Sequence, residues 1–143
     1  MILEAIATLA AGIFGGAALY INVAEHPARM ECGTAVATTV FAPSYRRAAL
    51  MQASLAGVGL LAGVGAWLQG GEIWWLAAGL ILGSVIPFTF LAIMPTNKQL
   101  LATGLNKESA EAATLLRRWG QLHAVRTVLG LIAFGVFVWR LVT

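Results

Sequence analysis

The sequence predicts an all-α integral membrane protein, a four-helix bundle with a short helical loop on its cytoplasmic side. Of the 143 residues, 59% are hydrophobic and only 10% are charged, and the mean hydropathy is +0.83. A soluble domain has about 25% charged residues, so this chain has too few charges to cover a surface in contact with water. Its apolar residues also fall into four segments of membrane-spanning length, and its basic residues gather between alternate segments.

The four apolar segments lie at about residues 5–24, 48–68, 73–94 and 122–142. Each has close to the roughly 20 residues that cross a hydrocarbon core, and a single domain over residues 1–143 accommodates them all. Residues 69–72 form a tight turn that makes the second and third segments an antiparallel hairpin, and Pro87 predicts a kink in the third. Residues 25–47 and 95–121 are then the two longer connections.

The second long connection has helix signals of its own. Thr96 and Gln99 have the spacing of a capping box, and Gly104 is placed to end the short helix that would follow. Asn106 then predicts the N-cap of a helix that continues into the fourth span.

The basic residues predict the orientation of the chain. Eight of the nine lie in the long connections or at the start of the fourth span, namely Arg29, Arg46, Arg47, Lys98, Lys107, Arg117, Arg118 and Arg126. Only Arg140 lies at the other surface, so the positive-inside rule places both connections in the cytoplasm and both termini on the non-cytoplasmic side. In a bacterium this would be the cytoplasmic membrane. Topology therefore explains the net charge of +3, and we expect a lipid bilayer as the partner and no nucleic acid.

Aromatic and small residues support this arrangement. Four tryptophans fall at the charge-poor surface and predict an aromatic belt, namely Trp67, Trp74, Trp75 and Trp139. Three glycine pairs have the spacing that lets helices approach closely, namely Gly12/Gly16, Gly59/Gly63 and Gly79/Gly83. We expect them to pack the helices of one chain together, with a homo-oligomer through these faces as the alternative. A single cysteine, Cys32, excludes an internal disulfide.

The fourth span carries ionisable residues that lie too deep to serve as surface markers. Only 13 residues separate Arg126 from Arg140, which is about 20 Å of helix against a hydrocarbon core of about 30 Å. Trp119, His123 and Arg126 share one helix face. Ionisable groups at this depth are costly unless they face the bundle interior, so they are candidates for a functional site.

A second polar set lies at the end of the first span, and the predicted topology brings it to the same level. It consists of Asn22, Glu25, His26 and Arg29, and Asn97 joins it from the end of the third span. Pro27 is expected to end or bend the first helix there. The convergence of these residues with His123 and Arg126 has two interpretations: Arg126 binds a substrate, or it pairs with Glu25 as a structural lock.

The chemistry of these side chains fits base catalysis better than metal catalysis. A histidine titrates near neutrality and can act as a general base, and Arg126 or Asn97 could stabilise the oxyanion that forms. Glu25, His26 and His123 could instead form a two-histidine, one-carboxylate site for iron or copper. That alternative is weaker, because neighbouring residues on a helix point about 100° apart.

Three motifs extend this interpretation to a family. They are Asn22-Val-Ala-Glu-His-Pro-Ala, Pro87-Phe-Thr with Pro95-Thr-Asn97, and Trp119-x-x-x-His123-x-x-Arg126. Together they resemble the anthrone oxygenase-like family of small four-span membrane proteins.

The resemblance implies an oxygenase that oxidises a hydrophobic aromatic or polyketide-like substrate by base-assisted deprotonation, with dioxygen as co-substrate and no further cofactor. It points to Glu25, His26, Asn97, Trp119, His123 and Arg126. We expect catalysis from His123, His26, Glu25 and Arg126, and substrate binding by Asn97, Trp119 and Asn22. The alternatives are a small transporter or a structural accessory subunit without catalysis.

Overall fold

Four long helices account for most of the chain in the computed structural model, which describes residues 1–143. They are α1 (Ile2–Glu31), α2 (Thr34–Leu68), α3 (Ile73–Leu100) and α4 (Ala110–Val142). Each packs against its neighbours in sequence, and α4 closes the ring against α1. All four are long and apolar enough to cross a membrane, which confirms the predicted all-α, membrane-spanning four-helix bundle.

The helices contain the predicted apolar segments and continue well beyond them. They have 28 to 35 residues, or about 42–52 Å at the helical rise, against a hydrocarbon core of about 30 Å. The segments expected to connect the spans, 25–47 and 95–121, are themselves largely helical, because α2 already begins at Thr34 and α3 reaches Leu100. Hydropathy detects only the lipid-facing part of a helix, whereas main-chain hydrogen bonding continues into the polar end.

Two π-helical turns interrupt the helices at the same end of the bundle. One is Ile21–Glu25 in α1 and the other is Thr89–Ile93 in α3, and each is followed after one residue by a proline, Pro27 or Pro95. A proline cannot bond the carbonyl four residues before it, and its ring crowds that carbonyl. In both helices that carbonyl belongs to the middle residue of the π turn. The wider turn therefore accommodates the proline, and α1 continues to Glu31 instead of ending near Pro27.

The α-helix of α3 is also broken next to Ser84, because Pro87 has no N–H to donate to the carbonyl of Gly83. The expected short helix beginning at Thr96 is the last part of α3, Met94–Leu100, so the helical segment on that side is a continuation of the third span.

The connections between the helices are short. Gly33 joins α1 to α2 and Gly70 joins α2 to α3, both with φ of 95°, a conformation that favours glycine. The N-cap of α4 is Ser109, whose hydroxyl accepts from the N–H three residues on, so the expectation for Asn106 is wrong. The Asn106 side chain instead accepts from the N–H two residues on and forms an Asx turn.

The bundle interior divides into two apolar clusters. The membrane core fills the half nearer the charge-poor end and is formed by Ala7, Ala11, Phe14, Ala18, Ala56, Ala62, Ala66, Trp75, Ala78, Leu82, Val85, Ala133 and Phe137. The cap core fills the charge-rich end and is formed by Ile21, Ala37, Phe41, Ile93, Leu100, Leu115, Leu116 and Trp119. The polar residues of interest lie where the two clusters meet.

Small residues allow close approach inside the membrane core, as the glycine pairs predicted. A Cβ on Gly63 would lie 2.7 Å from the carbonyl oxygen of Trp75 and 3.2 Å from Cα of Gly79. Gly59, Gly79 and Gly83 also face neighbouring helices, whereas nothing lies within 4 Å of a Cβ on Gly16. Packing within the chain is therefore confirmed for the pairs on α2 and α3 but not for Gly16.

The aromatic belt at the charge-poor end has three members where four were expected. Trp67, Trp74 and Trp139 are exposed, but Trp75 is buried and stacks on Phe137 with ring centroids 5.6 Å apart. Neighbouring residues on a helix point in different directions, so the pair Trp74-Trp75 could not both face lipid.

Candidate functional site

A layer of buried polar side chains separates the membrane core from the cap core. Counted from the charge-poor ends of their helices, Asn22 is 20 residues from Ile2 and His123 is 19 residues from Val142, so both lie about 30 Å along the helix. That length matches the thickness of a hydrocarbon core. The layer therefore lies about one hydrocarbon-core thickness from the charge-poor ends, beneath the cap formed by the other helix ends.

His123 is held by α1 in one defined tautomer. Its Nδ1 lies 2.8 Å from Oδ1 of Asn22, and the same oxygen accepts from the Thr127 hydroxyl at 2.5 Å. The Asn22 amide nitrogen donates to the carbonyl of Gly120 at 3.1 Å, which fixes the orientation of the amide. Nδ1 of His123 must then donate, and Nε2 is left as the free lone pair.

His26 has the opposite arrangement. Nε and Nη2 of Arg29 approach its Nδ1 at 3.1 and 2.9 Å, so Nδ1 is the acceptor and is already occupied. Its Nε2 lies over Gly120, where a Cβ would come within 2.7 Å. Trp119 bridges the two histidines, stacking on His123 with centroids 4.8 Å apart and lying tilted against His26 at 5.3 Å.

Glu25 belongs to the His26 side of the layer. It accepts from the Ser44 hydroxyl at 2.5 Å and lies 3.5 Å from Nη1 of Arg29. Arg126 has no carboxylate within 4.0 Å, so the predicted lock between Glu25 and Arg126 is wrong. The π turn and the helix continuing past Pro27 place Arg29 one turn beyond Glu25, and this arginine takes the partner expected for Arg126.

Arg126 is the least compensated group in the layer. Its side chain is buried, Nη2 donates to Oε1 of Gln52 at 3.0 Å, and Nε has no hydrogen-bond partner. The guanidinium lies 5.7 Å from the ring centroid of Phe14. With two buried arginines against the one carboxylate of Glu25, the layer carries an excess positive charge and favours an anion.

Asn97 is buried but does not join the others. Neither its amide nitrogen nor its amide oxygen has a hydrogen-bond partner, and the residue lies outside the cavities that contain Arg126. The structure therefore links six of the seven candidate site residues through hydrogen bonds, an ion pair, ring contacts or a shared cavity, and shows no such link for Asn97.

Two cavities meet at Arg126. The inner cavity, of about 20 Å³, lies against the polar layer, and its lining includes Arg29, Ser44, Gln52, Trp119 and His123. The outer cavity, of about 130 Å³, lies between α2 and α3 and is mainly apolar. Tyr45, Ala49 and Arg126 line both. Tyr45 and Arg126 thus stand between the polar layer and an apolar space.

The metal hypothesis finds no ligand set. No three side chains of the histidine, cysteine, aspartate and glutamate types lie close enough together to hold one ion. Each of the three proposed ligands already has another partner. Glu25 accepts from Ser44, His26 accepts from Arg29, and His123 bonds to Asn22. The neighbouring guanidinium groups would also oppose a cation. We therefore assign no step to a metal.

Some residues and roles of the layer were missed from the sequence. Arg29 was placed in the polar set but given no role in the site, whereas in the structure it is buried and lies 5.1 Å from the Trp119 ring. Gln52 could have been found, because it is an amide inside an otherwise apolar span. Thr127, four residues after His123, could have been found from helical spacing. Tyr45 carries no such signal.

The family and sequence comparisons with known proteins both identify anthrone oxygenases. A family model described as anthrone oxygenase matches residues 41–136. The chain is similar to the anthrone oxygenase tpcL of Aspergillus fumigatus, with 44% identity over 52 residues, or 34% of this chain and 32% of that protein. It is also similar to an anthrone oxygenase of Claviceps purpurea, with 34% identity over 64 residues, or 39% of this chain and 37% of that protein. No solved structure matches the chain.

The matched segments span about a third of the length of these curated relatives. The family match contains Tyr45, Gln52, His123 and Arg126 and leaves α1 outside.

Proposed function

We propose, on the premise that this chain belongs to the anthrone oxygenase family, that it is a membrane-embedded oxygenase. It oxidises a hydrophobic aromatic or polyketide-like ketone with dioxygen, and it begins by removing a proton from the substrate. One observation carries the proposal: a buried guanidinium without a carboxylate, Arg126, lines the same cavity as a histidine with a free Nε2, His123.

His123 is the base in this proposal, and His26 is not. A methylene group next to an aromatic ketone is acidic because its anion is delocalised onto the carbonyl oxygen. Nε2 of His123 can accept that proton while Nδ1 donates to Asn22 and keeps the ring in position. The acceptor nitrogen of His26 is already bonded to Arg29, so His26 has no free lone pair to offer.

Arg126 is the group that stabilises the anion. Deprotonation moves negative charge onto the substrate oxygen, and a positioned cation in a water-poor site stabilises that charge more strongly than water does. Its only hydrogen bond within the protein runs from Nη2 to Oε1 of Gln52, so the guanidinium keeps N–H groups for a substrate oxygen. The carboxylate of Glu25 is 3.5 Å from Arg29 and leaves Arg126 uncompensated.

The reaction balances with dioxygen alone. The carbanion transfers two electrons to dioxygen in single-electron steps, a carbon–oxygen bond forms, and the imidazolium of His123 protonates the resulting peroxide. His123 then removes the second proton from the same carbon, the oxygen–oxygen bond breaks, and hydroxide leaves to become water with that proton. A methylene and dioxygen thus become a carbonyl and water, and no external reductant is needed.

Oxygen uptake by the protein in lipid nanodiscs tests the proposal. With anthrone as the substrate, we expect uptake above that of empty nanodiscs, and anthraquinone as the product in equal amount. His123→Ala should lose about 10²–10⁴-fold in kcat, whereas His26→Ala should retain activity in proportion to its folded fraction. Equal rates for the parent protein and His123→Ala would show that the base is wrongly assigned.

Two further measurements separate the alternatives. Stoichiometric iron or copper in active protein would replace the metal-free mechanism. No uptake with any aromatic ketone, in protein shown to be folded, would favour a transporter or an accessory subunit, since neither predicts substrate-dependent consumption of oxygen.

A further inference from the structure

The outer cavity has a position and a lining that the reaction steps above do not use. It lies between α2 and α3 at the level of the polar layer, and its walls include Val85, Ile86 and Met94. Phe90, at its edge, is 64% exposed, and Ala53 is exposed beside it. Because these faces of the two helices meet lipid, the cavity opens sideways into the bilayer.

Size distinguishes the two cavities. The inner one, at about 20 Å³, holds little more than a water molecule, and a closed apolar cavity of about 150 Å³ holds one benzene ring. The outer one, at about 130 Å³, therefore takes about one aromatic ring. A molecule with several fused rings must extend past Phe90 into lipid or past Tyr45 toward His123.

Charge indicates the chemistry of the occupant. Arg126 is the one charged residue that lines the outer cavity, and it has no carboxylate partner. An apolar ring system with an oxygen at one end fits this combination, since the rings replace lipid and the oxygen accepts from the guanidinium. A lipid tail would leave the guanidinium unpaired, and a free anion would not fill the apolar part.

We propose that the outer cavity binds the ring system of a planar aromatic ketone or phenol, which reaches it sideways from the bilayer between α2 and α3 and places its oxygen on Arg126. Tyr45 divides this space from His123 and limits the size of the ring system. Tyr45 lines both cavities and stacks on Phe41 with centroids 5.6 Å apart and ring planes 9° apart. The identity of the occupant as a substrate rests on the proposed function.

Binding of molecules that the protein cannot oxidise tests the cavity independently of catalysis. The probes are 9,10-anthraquinone and 2-hydroxyanthraquinone, titrated into the protein in lipid nanodiscs, with empty nanodiscs to correct for partition into lipid. Ala53→Leu should weaken binding at least tenfold, because it fills the mouth of the cavity. Ser54→Leu, at the next exposed position of α2 and outside this cavity, should change binding less than twofold.

Arg126→Gln tests the polar end. It should weaken binding of ionised 2-hydroxyanthraquinone at least tenfold and binding of anthraquinone less, because only the former carries a full negative charge. Equal losses for the two probes, or equal losses for Ala53→Leu and Ser54→Leu, would overturn the assignment of the cavity.

Tyr45 is tested by the size of the probe. Tyr45→Ala should raise the affinity for the four-ring 5,12-naphthacenequinone relative to anthraquinone at least fivefold, and Tyr45→Phe, which keeps the ring, should leave that ratio within twofold. An unchanged ratio in Tyr45→Ala would show that Tyr45 does not limit ring size.

The failure of this proposal differs from the failure of the proposed function. Normal binding without oxygen uptake would leave the cavity assigned and contradict the oxygenase. Normal oxygen uptake in Ala53→Leu would leave the oxygenase and contradict the cavity.

Discussion

The membrane core and the polar layer are built from the same four helices, yet they fill space in opposite ways. In the membrane core, Gly63 and Gly79 let two helix backbones approach until no Cβ would fit, and Trp75 stacks on Phe137. In the polar layer, Arg126 and Gln52 both retain buried nitrogens without partners beside a cavity.

That difference separates the region that stabilises the fold from the region that can bind a ligand. Close packing supports stability, whereas buried polar groups left unpaired cost free energy that the rest of the fold must offset. Within the polar layer the same contrast recurs, since Arg29 is fully engaged by His26 and Glu25 and Arg126 is not. Substitutions in the two regions should therefore change different measurements.

Between the two regions, the largest expected effect is the loss of kcat in Arg126→Gln. Loss of the guanidinium should lower kcat by about 10²–10³-fold, while the free energy of unfolding stays equal or rises, because a buried charge without a carboxylate is removed. Oxygen uptake with anthrone and unfolding in detergent measure the two quantities.

Arg29→Gln is the matched control, and it should lower the free energy of unfolding rather than kcat. It breaks the bonds to His26 and Glu25, so we expect a loss of about 1–3 kcal/mol in the free energy of unfolding and less than a tenfold change in kcat per folded molecule. If Arg29→Gln lowered kcat as much as Arg126→Gln, the contrast between the two arginines would be broken.

The next effect is on stability in the membrane core. In Gly63→Ala the new Cβ would lie 2.7 Å from the carbonyl oxygen of Trp75, and backbone atoms cannot move aside as a flexible side chain can. We expect a loss of about 1–3 kcal/mol in the free energy of unfolding and unchanged kcat per folded molecule. Gly57→Ala is the control, because nothing lies within 4 Å of its Cβ; equal losses in both variants would show that close packing is not the cause.

A smaller change, a rise in the free energy of unfolding, is expected at Asn97. Its buried amide has no partner at either atom, so Asn97→Leu should raise the free energy of unfolding by about 1–2 kcal/mol and leave kcat unchanged. A large fall in kcat with the fold intact would instead show that Asn97 reaches the substrate, as the family resemblance implied, and would extend the polar layer to α3.

The sequence was sufficient for the bundle but not for the pairing inside the polar layer. Composition and segment length determine the four spans because lipid requires them, and helical spacing places His123 and Arg126 on one face. The partner of Glu25 could not be predicted, because it depends on the π turn before Pro27 and on α1 continuing to Glu31. The π turn and the continuation of α1 are responses of the backbone to Pro27, and a pattern of apolar residues does not predict such responses.

The cavities were beyond prediction for a related reason. Tyr45 lies in a stretch that hydropathy assigned to a connection, and its position between the two cavities follows from α2 extending far beyond the membrane, to Thr34. Gln52 is different, since an amide within an apolar span is visible in the sequence and was simply overlooked.

The last prediction concerns which side of the membrane carries the polar layer, and it leaves the fold undisturbed. Cys32 is the single cysteine and is exposed at the charge-rich end. With the cap on the cytoplasmic side, a membrane-impermeant maleimide should label Cys32 in bacterial cells only after permeabilisation. The control variant carries Cys32→Ser and Gln69→Cys, which moves the thiol to the exposed turn between α2 and α3, and it should be labelled in intact cells.

The reverse labelling pattern would place the cap outside and make the eight basic residues an exception to the positive-inside rule. Labelling of both positions in intact cells would contradict the membrane-spanning arrangement of α2. The expected pattern would place the inner cavity next to the cytoplasm while the outer cavity remains open to lipid, so that a substrate from the bilayer is oxidised just beneath the cytoplasmic cap.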